Sequence, residues 1–243
     1  MVILKYKGHE LEILPDRGAI ISYWKYKGED VLYEDPYLQI NRIIRGGMPV
    51  LFPICGEMEN NYVSFNEKQY RINRHGFARD CQWELIKCED DCIYLQLQSN
   101  PQTLVYYPYL FKVEIEYRVN AEGLTVKCQV WNFNSEEMPY QIGFHPYFLV
   151  ENKIASCPIY DWQEEVNNYI LDKQSIKVVQ KSFNTQVKIE ECFDRFVIWS
   201  IPESPFICVE PWLGGVNSLN DIHRHQIKAF QSKIHQFSIK VFH

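Results

Sequence analysis

A chain of 243 residues with 46% hydrophobic and 23% charged residues has the composition of a folded globular protein, which excludes fibrous and disordered classes. Its 25 Lys and Arg against 31 Asp and Glu leave a net charge of −6, and no basic run is dense enough to track a phosphate backbone, so nucleic acid is not an expected partner. No stretch approaches the ~18 apolar residues of a spanning helix, so no membrane span is expected either.

Residues 1–14 alternate apolar side chains with Lys5, Lys7, His9 and Glu10, which leaves no continuous apolar run for an export signal and points to a cytoplasmic protein. The segment Arg45-Gly46-Gly47-Met48-Pro49-Val50-Leu51-Phe52-Pro53-Ile54-Cys55-Gly56 departs from alternation, as does Arg74-His75-Gly76-Phe77-Ala78-Arg79-Asp80. Ile93, Leu95 and Leu97 resume a period of two. Asn100-Pro101 is a helix cap with proline at the first helical position, but Pro108 limits any helix there to two turns.

From 111 to 119 every odd position is apolar or aromatic and every even one is charged, the pattern of a half-buried antiparallel strand. Ala121-Glu122-Gly123 supplies a turn, and Leu124, Val126, Cys128 and Val130 continue the alternation as the partner of a hairpin. Gly143-Phe144-His145-Pro146-Tyr147-Phe148 and Cys208-Val209-Glu210-Pro211-Trp212-Leu213-Gly214-Gly215 break the pattern again before Phe237, Ile239 and Val241 restore it. Turn residues recur at roughly 8–12-residue intervals, with no βαβ rhythm and no internal repeat. An all-β sandwich or barrel is therefore expected, as one domain over residues 1–243.

The eight cysteines form no CxxC pair and no Cys/His cluster at zinc spacing, so they read as reduced, mostly buried thiols, and no metal is expected. Neither GxGxxG nor GxxxxGK[ST] occurs, which removes dinucleotide and P-loop readings. What remains is two histidines and one carboxylate, His75, His145 and Glu210, each beside aromatic residues in a segment that breaks the strand pattern. That is the minimum set for paired general acid/base chemistry, and the aromatics are suitable walls for a sugar ring.

The strings HGFAR at 75–79, GFHPYF at 143–148 and VEPW at 209–212, in this order, resemble the aldose 1-epimerase (galactose mutarotase-like) family, over most of the chain. The resemblance implies a β-supersandwich of large antiparallel sheets, with no cofactor and a small sugar or sugar phosphate as partner. It also implies roles: Glu210 as the base on the anomeric hydroxyl, His145 as the acid that protonates the ring oxygen, and His75 as the histidine on the ring-oxygen side. Ordinary pKa values of about 4.3 for glutamate and about 6.5 for histidine agree with that division. A substrate-binding acid in mid-chain is implied too, with Asp161 and Asp194 both open, and Asn217 is either a hydroxyl ligand or a turn residue. The segments holding Arg45 and Arg79 look like the hexose-6-phosphate mutarotase branch, in which these arginines would grip a phosphate; the alternative is pairing with Asp80 or Glu57. Catalysis by this set competes with a second reading, a non-catalytic sugar-binding module on the same fold.

Overall fold

The hairpin read from residues 111–130 lies at the centre of the larger sheet. In the computed structural model, which describes residues 1–38, 44–157, 164–170 and 173–243, strands Phe111–Val119 and Gly123–Asn132 pair antiparallel with Val113 opposite Val130 and Val119 opposite Leu124. Inward Val113, Ile115 and Tyr117 are buried, while outward Lys112 and Arg118 form ion pairs with Glu114 and Glu116. Asn120 closes the turn, its Oδ1 accepting the N–H groups of Glu122 and Gly123 at 2.7 and 3.1 Å.

This hairpin is part of a seven-stranded sheet in the order Ser175–Val179, Asn184–Glu191, Ser232–Phe242, Gly123–Asn132, Phe111–Val119, Cys92–Gln98 and Glu84–Cys88. Facing it is a second sheet whose strands Val166–Ile170, Arg195–Ser200, Phe206–Trp212, Gly143–Phe144 and Val50–Leu51 lie side by side, with Tyr147–Leu149 also paired to Phe206–Trp212. Strands Val2–Tyr6, His9–Leu14, Ile20–Tyr26 and Glu29–Asp30 form a third sheet. The fold is thus all-β with large antiparallel sheets, as the alternation requires. One continuous apolar core takes residues from all three sheets, from Leu4 to Val241. Phe111 packs at its centre, its ring 5.0 Å from that of Phe52 and 5.8 Å from that of Tyr107, and truncation to alanine would cost about 3–5 kcal/mol through lost burial and the cavity left behind.

The helical segments are short. Pro101–Leu104 starts on a capping box in which Asn100 accepts the N–H of Thr103 and the Thr103 hydroxyl accepts that of Asn100. Among the described residues no helix is long and apolar enough to cross a membrane. All eight cysteines are free thiols; Cys55, Cys92, Cys128, Cys157 and Cys208 are buried, and Cys88 and Cys192 are exposed.

Strand Phe206–Trp212 positions the site. All seven of its residues are buried, because both of its faces are covered. Ile207 and Val209 point into the main core, whereas Cys208 and Trp212 pack with Tyr147, Trp199, Val197 and Cys55 on the opposite face. The period of two puts Glu210 on that second face, an acid surrounded by aromatics.

Candidate active site

Three segments distant in sequence bring His75, His145 and Glu210 together. Gly143 pairs with Trp212 on one side and Leu51 on the other, and the N–H of His145 donates to Pro49 O at 3.0 Å, so the His145 segment is wedged between the Glu210 strand and the 49–51 segment. His145 Nε2 lies 3.3 Å from Glu210 Oε1. The imidazole stacks on Tyr147 at 4.6 Å and meets Trp199 and His75 edge-on at 5.7 and 5.5 Å. Glu210 Oε2 accepts the Trp212 indole N–H at 3.0 Å.

His75 is held in the left-handed region at φ 67°, with its own N–H donating to Gly56 O at 2.6 Å and its Nδ1 accepting the Gly56 N–H at 3.0 Å. The next residue has to be glycine: Gly76 has φ 72°, and a Cβ there would sit 2.1 Å from Phe52 O. Because Nδ1 accepts, the ring proton of His75 is on Nε2, which is then a donor toward the site.

The environment reverses the simple charge assignment. Burial pushes Glu210 well above the usual carboxylate range, opposed by the Trp212 hydrogen bond and the Arg74 charge. Burial also pulls His145 well below the usual histidine range, assisted by Arg79, Arg74 and Arg45, and does the same to His75, assisted by His145 and Arg79. Burial therefore disfavours a carboxylate base beside an imidazolium acid, since each group is drawn toward its uncharged form.

His75, His145 and Glu210 line a small recess of about 40 Å³ together with Arg74, Trp199 and Trp212. It shares Arg74, His75, His145 and Trp199 with a cavity of about 420 Å³ that adds Arg45, Arg79, Tyr147 and Glu165, a size suited to a small ligand. Both arginines singled out in the sequence are here. The Arg45 guanidinium lies over the Trp199 ring at 5.1 Å, and Trp199 is fixed by its N–H to Glu165 at 2.8 Å. Arg79 donates to Arg74 O at 2.9 Å and comes only to 4.0 Å of Asp80, leaving its buried Nε without a hydrogen-bond partner. Glu57 lines the recess, not the arginine cavity. Arg74, adjacent to His75, is a third cation that the sequence reading passed over, although its place beside the HGFAR string was a signal.

Asp194 and Asn217 line neither cavity. Asp161 lies outside the described residues. Asp194 is fully engaged: its carboxylate accepts from Arg195 at 2.8 and 3.1 Å and the Gly214 N–H at 3.1 Å, and lies 3.0 Å from His225 Nε2. Burial alone would raise its pKa, but His225 and Arg195 outweigh that and hold it well below the carboxylate range. Asn217 is in the left-handed region at φ 60°, its side-chain oxygen accepting from Glu59 N and Asn220 Nδ2 at 3.1 and 3.0 Å, and it lines neither cavity.

Cys208 adjoins the pair, and the ligand atoms of His145, Cys208 and Glu210 lie within 4.8 Å of one another, close enough to share a divalent cation. His145 Nδ1, the nitrogen that a metal-bound imidazole would present to a supporting acceptor, is buried without a side-chain partner.

A family model described as aldose 1-epimerase matches residues 4–200. The chain belongs to the aldose 1-epimerase family. Its resemblance to the plasmid-borne protein LacX of Lactococcus lactis subsp. lactis is 26% identity over 272 aligned positions, covering 90% of this chain and 87% of that one. The structure of the Slr1438 protein from Synechocystis sp. PCC 6803 superposes with a TM-score of 0.92 at 25% identity, covering 99% of this chain and 95% of that one. A galactose mutarotase-like protein from Lactobacillus casei gives a TM-score of 0.83 at 18% identity over 99% of both chains, a likeness of fold. The epimerase family match ends before Glu210, so the VEPW strand joins the site through the fold rather than through that match.

Proposed function

We propose that this protein is a mutarotase for a phosphorylated aldose, interconverting the α and β anomers of a hexose 6-phosphate. The observation that carries the reading is the continuity of the His145–Glu210 pair with a cavity holding Arg45, Arg74 and Arg79, one of them with a buried unpartnered N–H. An oxyanion at the far end of a sugar would meet guanidinium groups there, the geometry in which charge-assisted forks act best. Family membership supports an isomerase acting on a sugar.

With C1 in the recess, Glu210 takes the proton of the anomeric hydroxyl while His145 delivers one to the ring oxygen. The C1–O5 bond breaks and the open-chain aldehyde forms. Rotation about C1–C2 presents the other face of the carbonyl, and closure runs both transfers backwards, so acid and base are restored. His75 Nε2–H steadies the ring oxygen as it gains charge. Each positioned proton transfer is worth about 10²–10⁴-fold. Trp212 and Arg74 favour the ionised Glu210 that the first step requires, against the burial that disfavours it.

The test is NMR exchange between anomers of glucose 6-phosphate and of glucose with the purified protein. Higher catalytic efficiency for the phosphorylated sugar is expected. Equal efficiencies would make the protein an epimerase for plain aldoses, and no acceleration of either sugar would favour the binding-module reading.

A further inference from the structure

One side chain that takes no part in this chemistry joins two loops that flank the groups that do. Gln141 is completely buried, four residues before His145. Its Oε1 accepts the N–H of Cys55 at 3.1 Å, and its backbone N–H donates to Pro53 O at 2.8 Å. Cys55 immediately precedes Gly56, the residue that clasps His75 at both the backbone and the ring. On its other side, Gln141 Nε2 donates to Gly215 O at 2.6 Å and to Ser218 Oγ at 2.8 Å, in the loop that follows Glu210 and Trp212. Packing there is close: Gly214 has φ 77°, and a Cβ on it would lie 2.7 Å from Gln141 Nε2.

The chemistry of this position is specific. A carboxamide offers an acceptor at one corner and two N–H donors at the other, and here the acceptor faces the 53–56 loop and both donors face the 213–218 loop. Glutamate could keep the first contact but not donate the others, and leucine fills similar space with none. We propose that Gln141 is a positioning residue for the acid/base site, setting His75 against Glu210 by fastening the Gly56 loop to the Gly215 loop across the His145 segment. The inference rests on the mutarotase reading for its effect on rate, but not for its effect on His75.

Two readouts follow, on the full chain. In Gln141→Leu, kcat for glucose 6-phosphate should fall about tenfold or more, since misplacement by about an ångström costs up to 10²-fold. KM should stay within about twofold, because Arg45 and Arg79 are held by other contacts. In ¹⁵N NMR of labelled histidine, wild-type His75 should show a single tautomer with Nδ1 unprotonated, and Gln141→Leu should show a mixture as the Gly56 clasp loosens. Gln141→Glu, which keeps the acceptor, should retain the wild-type His75 tautomer yet lose kcat, and it serves equally should the leucine variant fail to fold. Wild-type kcat and an unchanged His75 tautomer in folded variants would overturn the proposal. A wild-type protein that exchanges no anomers, with His75 responding to Gln141→Leu as expected, would instead overturn the mutarotase reading and leave Gln141 as the fastener of the site.

Discussion

His75 and Gly56 hold each other twice, through His75 N–H to Gly56 O at 2.6 Å and Gly56 N–H to His75 Nδ1 at 3.0 Å. A doubly protonated His75 would place an N–H against an N–H, so in the proposed mechanism this histidine is a neutral donor and not the acid. His145 has no such tie, its Nδ1 being unpartnered. His145→Ala should therefore lower kcat by about 10²-fold or more, and His75→Ala by less, since it removes a hydrogen bond rather than a proton transfer. Steady-state anomer exchange on the two variants decides this, and the reverse order of severity would exchange their roles.

Glu210→Gln should abolish turnover without loss of the fold, and should also stabilise the protein at alkaline pH. The sign follows from the raised pKa of the buried carboxyl: its contribution to stability is complete below the ordinary glutamate value and is lost as pH rises toward the raised one. Glutamine carries no charge to bury, so the advantage of the variant should grow over that window. Thermal melts of both proteins from pH 5 to pH 9 test it; a variant less stable at every pH would show that Glu210 is held mainly by its partners.

Trp212→Phe should lower kcat/KM at neutral pH and move the limb of its pH profile that reports Glu210 to higher pH. The base must be ionised to act, and burial already holds the Glu210 pKa above the carboxylate range. Removing the indole N–H, 3.0 Å from Oε2, takes away a hydrogen bond that favours the ionised form and raises that pKa further. An unmoved limb would remove Trp212 from the control of the base.

Arg79→Ala should raise KM for glucose 6-phosphate about ten- to hundredfold, the equivalent of a charge-assisted contact of roughly 1.5–3 kcal/mol, with little effect on glucose. Arg45→Ala should act in the same direction. The ratio of catalytic efficiencies for the two sugars, in wild type and variants, is the measurement, and a ratio indifferent to both arginines would leave them as structural cations.

Asp194→Ala should lower the melting temperature at neutral pH rather than impair sugar binding, because its carboxylate holds Arg195 and the Gly214 N–H and faces His225. With its folded pKa depressed, this contribution is present above the ordinary aspartate value and is lost as pH falls toward the depressed one. The melting difference between variant and wild type should accordingly shrink in strong acid. A normal melting curve with weakened sugar binding would return Asp194 to the substrate.

The sequence by itself determined the all-β architecture and the segments of the candidate site. Alternation with a period of two is a local property, set by the pleat, so the strands at 111–119 and 124–130 could be read residue by residue. His75, His145 and Glu210 stood out because Gly, Pro and polar residues interrupt that alternation, whereas Arg45 and Arg79 stood out only through the resemblance of their segments to the hexose-6-phosphate mutarotase branch. Asp161 remains a sequence expectation alone. Which of the remaining polar residues are spoken for was a tertiary matter: Asp194 and Asn217 look like ligands in one dimension, yet their oxygens are taken by Arg195, Gly214, Glu59 and Asn220. Gln141 offered no signal at all, since its partners lie 86, 74 and 77 positions away. The charges of the pair were likewise decided by the fold: reference pKa values describe groups in water, and only burial against Trp199, Trp212 and Tyr147 draws both Glu210 and His145 toward neutrality.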